Sequence, residues 1–103
     1  MADRRVVVTG MGAITPLGLT PAAVFDNLMQ GRTGVAATTR FDMARCPVKH
    51  SGEIRDFDPT RHGITARDLR TLDRCQQYVL AAAQDALADA GLDLPQREIT
   101  ARR

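Results

Sequence analysis

Arg5-Val6-Val7-Val8-Thr9-Gly10-Met11-Gly12-Ala13-Ile14-Thr15-Pro16-Leu17-Gly18 is the stretch on which the reading of this chain turns. Three consecutive β-branched valines favour a pleated backbone and side chains buried on both faces, so residues 5–8 read as a central strand of an α/β sheet. Gly10, Gly12 and Gly18 permit close approaches that a Cβ would forbid, while Pro16 fixes its own φ and biases Thr15 toward extended geometry. The loop is therefore shaped, either as a structural corner or as a ligand-contacting turn, and the residues alone leave both open. A dinucleotide-binding reading of Gly10-Met11-Gly12 fits poorly. The third glycine position of that fingerprint holds Thr15, followed by Pro16, and the next helix start waits until Thr20, whereas a pyrophosphate needs a helix dipole directly behind the second glycine.

Thr20-Pro21 is a clean helix start, because threonine accepts from an early amide and proline at the first helical position loses no bond it would otherwise make. The helix is expected over residues 22–30, with Val24, Phe25 and Leu28 on one stripe and Gly31 as its stop. An irregular stretch follows from Gly31 to Pro47. Residues 49–57 read as a second, partly exposed strand containing Ile54, ended by Asp58-Pro59. A long helix is then expected from Thr65 to Ala90, opened by Thr65-Ala66-Arg67-Asp68 as a capping box with aspartate in the glutamate position and closed by Gly91. Its apolar positions, Leu69, Leu72, Val79, Ala83, Ala86 and Ala90, make one alanine-rich stripe suited to close packing. In such a helix Arg67, Arg70 and Arg74 share a face. They are either a solvated flank with Asp68 and Asp73 as partial partners, or a docking patch for an acidic partner, since guanidinium forks bind phosphate and carboxylate bidentately.

Composition narrows the function classes. At 103 residues, 44% hydrophobic and 25% charged, the chain reads as at most one globular domain. No run approaches the ~20 apolar residues of a membrane span, and the N-terminus has no hydrophobic signal region, so a cytoplasmic location is expected. A net charge of +2 and 4% aromatic content give no basis for nucleic-acid binding. Cys46 and Cys75 lack metal-ligand spacing, and neither His50 nor His62 supplies the rest of a zinc set, so no metal or cofactor is expected.

The order strand, glycine loop, short helix, excursion, strand and long helix resembles the N-terminal part of β-ketoacyl-acyl-carrier-protein synthases, nearest to the elongating condensing enzymes of bacterial fatty acid synthesis. The resemblance rests on Arg4-Arg5-Val6-Val7-Val8-Thr9-Gly10-Met11-Gly12 with Pro16-Leu17-Gly18, Gly31 with Gly34, and Phe41-Asp42. It continues through Gly52 with Asp56-Phe57-Asp58-Pro59, then Leu72-Asp73, Gln77-Tyr78 and Asp89-Ala90-Gly91-Leu92. It implies an α/β thiolase-like fold of which residues 1–103 form an incomplete N-terminal domain: the first strand, first helix, second strand and long helix of the first half. A third strand is expected to begin near residues 99–103.

The resemblance also implies a decarboxylating Claisen condensation of acyl and malonyl thioesters, acyl carrier protein as partner, and a homodimer. None of the family's catalytic residues is matched here. Its nucleophilic cysteine sits at a tight turn before a buried helix, unlike Cys46, which precedes Pro47, or Cys75, expected mid-helix in the core. His50 and His62 lack the surroundings of the family's two histidines. The chain is therefore expected to be inactive alone. The family's carrier-docking basic residues match Arg67 and Arg70; Thr71 stands where relatives can have a lysine, a gap Arg74 could fill from the next turn. Two readings stay open: the leading piece of a condensing enzyme, or a non-catalytic module that binds acyl carrier protein through these arginines.

Overall fold

A computed structural model of the protein describes residues 3–92. Its elements are helix α1 (Pro21–Met29), strands β1 (Val35–Ala37) and β2 (His50–Gly52), a 3-10 helix (Pro59–His62), helix α2 (Ala66–Thr71) and helix α3 (Arg74–Asp89). The third strand expected near residues 99–103 lies outside the described residues.

The strand expected at residues 5–8 is not formed. Val6, Val7 and Val8 are 92%, 71% and 80% exposed and belong to no regular element. Pleated preference alone does not make a strand, which exists only as a ladder with a neighbour. Among the described residues the one sheet is β1–β2, and the valines pair with neither strand.

Where the determinants are local, the expectations hold. Thr20 Oγ1 accepts from the Ala23 amide at 3.1 Å, Pro21 opens α1, and Gly31, at φ +69°, ends it. The strands depart from expectation. Antiparallel pairing of Val35 with Gly52, Ala36 with Ser51 and Ala37 with His50 places a strand inside the stretch read as irregular, and shortens the one read over residues 49–57 to three residues. At the Gly52 end Asp56, at φ 58°, turns the backbone out of pleated geometry. The Glu53 carboxylate accepts from the Thr39 and Arg40 amides, at 2.9 and 3.0 Å, which lie beyond the other end of the ladder. The Thr15–Gly18 turn is tied to this ribbon through Pro16, which lies against Gly34 and Gly52.

The helix expected from Thr65 to Ala90 is two helices. Leu72 adopts φ −95°, ψ 135°, and Asp73 starts α3 with a complete capping box: its side chain accepts from the Gln76 amide at 2.8 Å, and the Gln76 side chain accepts from the Asp73 amide at 3.1 Å. Tertiary geometry requires a break. A continuous helix would separate residues 65 and 84 by about 28 Å, yet Gly63 lies against the Gln84 side chain and His62 bonds Asp85. Cys75, expected mid-helix and in the core, is consequently the second residue of α3 and exposed.

The packed face of α3 keeps Ala86 and Ala90 of the expected stripe but not Val79 or Ala83, which are exposed. Val79 is 67% exposed, whereas Ala81 is fully buried, and Ala82, Ala86 and Ala90 receive the glycine loop. A Cβ at Gly10 would lie 2.7 Å from that of Ala90, and one at Gly12 only 2.9 Å from the Ala82 carbonyl carbon. Met11, between them, donates its amide to Asp89 Oδ2 at 2.9 Å. The two glycines thus let the backbone lie directly on an alanine ridge, the close approach that both segments' small residues allow.

Candidate functional site

Helix α2 carries Arg67 and Arg70, three residues apart and both exposed. Thr65 caps it, accepting from the Asp68 amide at 3.2 Å while its hydroxyl donates to Asp68 Oδ2 at 2.8 Å. The capping box is half formed, since the aspartate takes the threonine hydroxyl and not its amide. Asp68 and Asp73 are both engaged at helix starts. Among the described residues no carboxylate lies within ion-pair distance of Arg67, Arg70 or Arg74, so the guanidinium groups of α2 keep their donors for an external acceptor.

Arg74 stands apart from the other two. The break at Leu72 puts it on α3, and the single helical face expected for the three arginines does not exist. Its Nε donates to Tyr78 Oη at 2.7 Å, and its guanidinium carbon lies 5.8 Å from the centre of the Tyr78 ring.

An aromatic and polar cluster missed in the sequence lies behind this surface. Tyr78 meets Phe57 edge-on at 5.0 Å between centroids, and Phe57 stacks on His62 at 5.4 Å. His62 Nδ1 donates to both carboxylate oxygens of Asp85, at 3.0 and 2.9 Å. The cluster joins the 3-10 helix to α3 and so fixes the entry to α2. Asp58 caps the same 3-10 helix; the hydroxyl and amide of Thr60 hold its carboxyl below the usual range, with Arg61 and His62 adding to the effect.

Glu53 is the most perturbed acid. The Thr39 hydroxyl at 2.7 Å, the Thr39 and Arg40 amides, and the nearby Arg55 lower its pKa to about 2. It is a structural clamp on the ribbon. Nothing in the sequence singled it out: Glu53 lies inside the stretch read as strand, and its partners are 13 and 14 residues away.

The two histidines and two cysteines do not converge on one centre. Cys46 lies partly buried in the turn closed by its amide on the Met43 carbonyl, and His50 is exposed on β2. No group of three or more metal-ligating side chains occurs among the described residues. The glycine loop touches α3 through Gly10 and Gly12, while Met11 and Ala13 border an open apolar groove of about 770 Å³ shared with Val24, Phe25 and Leu28. Among the described residues no helix is long and apolar enough to cross a membrane.

Residues 3–101 match the family described as beta-ketoacyl synthase, N-terminal domain. The chain is 40% identical over 92 residues to 3-oxoacyl-[acyl-carrier-protein] synthase 2 of Synechocystis, covering 89% of this chain and 22% of that protein. It is 42% identical over 92 residues to the tetracenomycin polyketide synthase ketoacyl synthase alpha subunit of Streptomyces glaucescens, covering 89% and 21%. Among solved structures, the ishigamide ketosynthase/chain length factor aligns with a TM-score of 0.80 at 39% identity, over 89% of this chain and 23% of that one. The chain thus spans about a fifth of the length of the curated relatives it matches.

Proposed function

The chain belongs to the β-ketoacyl synthase family, and from that premise we propose that it is the N-terminal portion of a condensing enzyme acting on carrier-borne acyl and malonyl thioesters. Its fold is then the opening segment of a thiolase-like half, in an enzyme that works as a homodimer. In the reaction a thiolate takes the acyl group from its carrier. Loss of carbon dioxide from the malonyl thioester generates a carbanion, which attacks the acyl thioester carbonyl and expels the thiolate. The nucleophile and the assisting histidines are supplied by polypeptide other than these residues, and the chain alone does not condense thioesters.

The contribution of this segment is docking and support. Arg67 and Arg70 receive the acidic recognition helix of acyl carrier protein and its phosphopantetheine phosphate, with Arg74 as an outlying contact. The observation that carries this reading is the pair of exposed guanidinium groups on α2 without a carboxylate partner among the described residues; the family resemblance is what directs them to the carrier.

The test is a hybrid in which this chain replaces the matching fifth of the Synechocystis relative. The hybrid should condense acyl and malonyl thioesters. A hybrid that melts like its parent but neither condenses them nor binds the carrier contradicts the proposal.

A further inference from the structure

Helix α2 has no extensive packing partner among the described elements, whereas the 3-10 helix preceding it packs on α3. The direction of α2 is therefore inherited from its two ends. At the rear, the Asp73–Gln76 capping box starts α3. At the front, four residues separate His62 from Arg67, and each is constrained: Gly63 at φ +70° against Gln84, Ile64 only 4% exposed, Thr65 at the helix cap, and Ala66 in the first turn. The fixed point for that front end is the His62 ring, held by Asp85 on one side and stacked on Phe57 on the other.

We propose that His62, through its Nδ1–H bond to Asp85, is a positioning residue that presents Arg67 and Arg70 to the carrier protein. The inference rests on the docking reading of those arginines. His62 touches neither carrier nor substrate. Its bond holds the 3-10 helix on α3, so that the two guanidinium groups are pre-oriented, and binding does not have to order them.

The experiment measures carrier binding in an intact synthase containing this chain as its N-terminal part, across a salt series. His62→Ala should weaken binding by roughly fivefold and leave its salt dependence unchanged, because no charged contact to the carrier is removed. Asp85→Ser should reproduce the loss from the α3 side. His62→Asn, whose amide can donate from near the Nδ1 position, should restore affinity to within about twofold. Asp89→Ala, which releases Met11 from the same helix without touching the 3-10 helix, should leave binding unaltered. Wild-type affinity for both His62→Ala and Asp85→Ser overturns the positioning role while leaving docking intact. An Arg67→Glu, Arg70→Glu protein that binds normally overturns the docking reading itself. If Asp89→Ala weakens binding as much as His62→Ala, the effect is general destabilisation and the proposal fails.

Discussion

The backbone of Gly12 rests on Ala82: a Cβ at residue 12 would lie 2.9 Å from the Ala82 carbonyl carbon and 3.0 Å from the Ala86 amide nitrogen. Helix backbone, unlike a flexible side chain, does not yield locally. Gly12→Ala should therefore push the glycine loop off α3 and destabilise the protein by about 1–3 kcal/mol. Hydrogen exchange at the Met11 amide, which is bonded to Asp89, reports the displacement directly. Gly31→Ala is the control. Its site is open and only the positive φ opposes substitution, so it should cost about 1–2 kcal/mol without accelerating exchange at Met11.

The Glu53 clamp predicts an acid-sensitive ribbon. Its folded pKa, about 2, lies below the ordinary 4.5, so its stabilising contribution is complete above about pH 4.5 and is lost as pH falls through 2. Denaturant midpoints measured from pH 5 to pH 2 should fall in the parent and fall less steeply in Glu53→Gln. Parallel curves for the two proteins would show that the carboxylate does not hold Thr39 and Arg40 as described.

The break between α2 and α3 is set partly by a cap. Asp73→Ala removes the acceptor for the Gln76 amide and should cost about 1 kcal/mol, with faster hydrogen exchange at Gln76. Helical content should not rise, because the Gly63–Gln84 and His62–Asp85 contacts still forbid a continuous helix. A gain in circular-dichroism helicity would contradict that geometric argument.

These cases show which features were legible in the sequence. Helix α1 was, because Thr20, Pro21 and Gly31 act on neighbours within a turn. So was the end of α3 at Gly91, again at positive φ. The valine strand was not, since Val6–Val8 state a preference that only a neighbouring strand can satisfy. Strand β1 escaped because Val35-Ala36-Ala37 carries little pattern, and its partner lies across a long loop. The break at Leu72 was hidden by an apolar period that runs through it, although Asp73 with Gln76 has the spacing of a capping box. Arg67 and Arg70 were found as a pair because three residues of one short helix suffice to align them. Arg74 was misplaced with the break, and His62 with Asp85 was invisible because 23 residues separate them.

Arg74 should consequently matter less than its sequence spacing implies. Its guanidinium is committed to Tyr78 and sits on a different helix from Arg67 and Arg70. Arg74→Glu should weaken carrier binding less than either Arg67→Glu or Arg70→Glu. Titration of the three single variants with acyl carrier protein gives the order.

The most direct measurement is the dissociation constant of acyl carrier protein for an intact synthase bearing Arg67→Glu and Arg70→Glu in this segment, determined at low ionic strength where exposed charges are least screened. Docking through α2 predicts a value at least about tenfold weaker than that of the parent. An unchanged constant would contradict it.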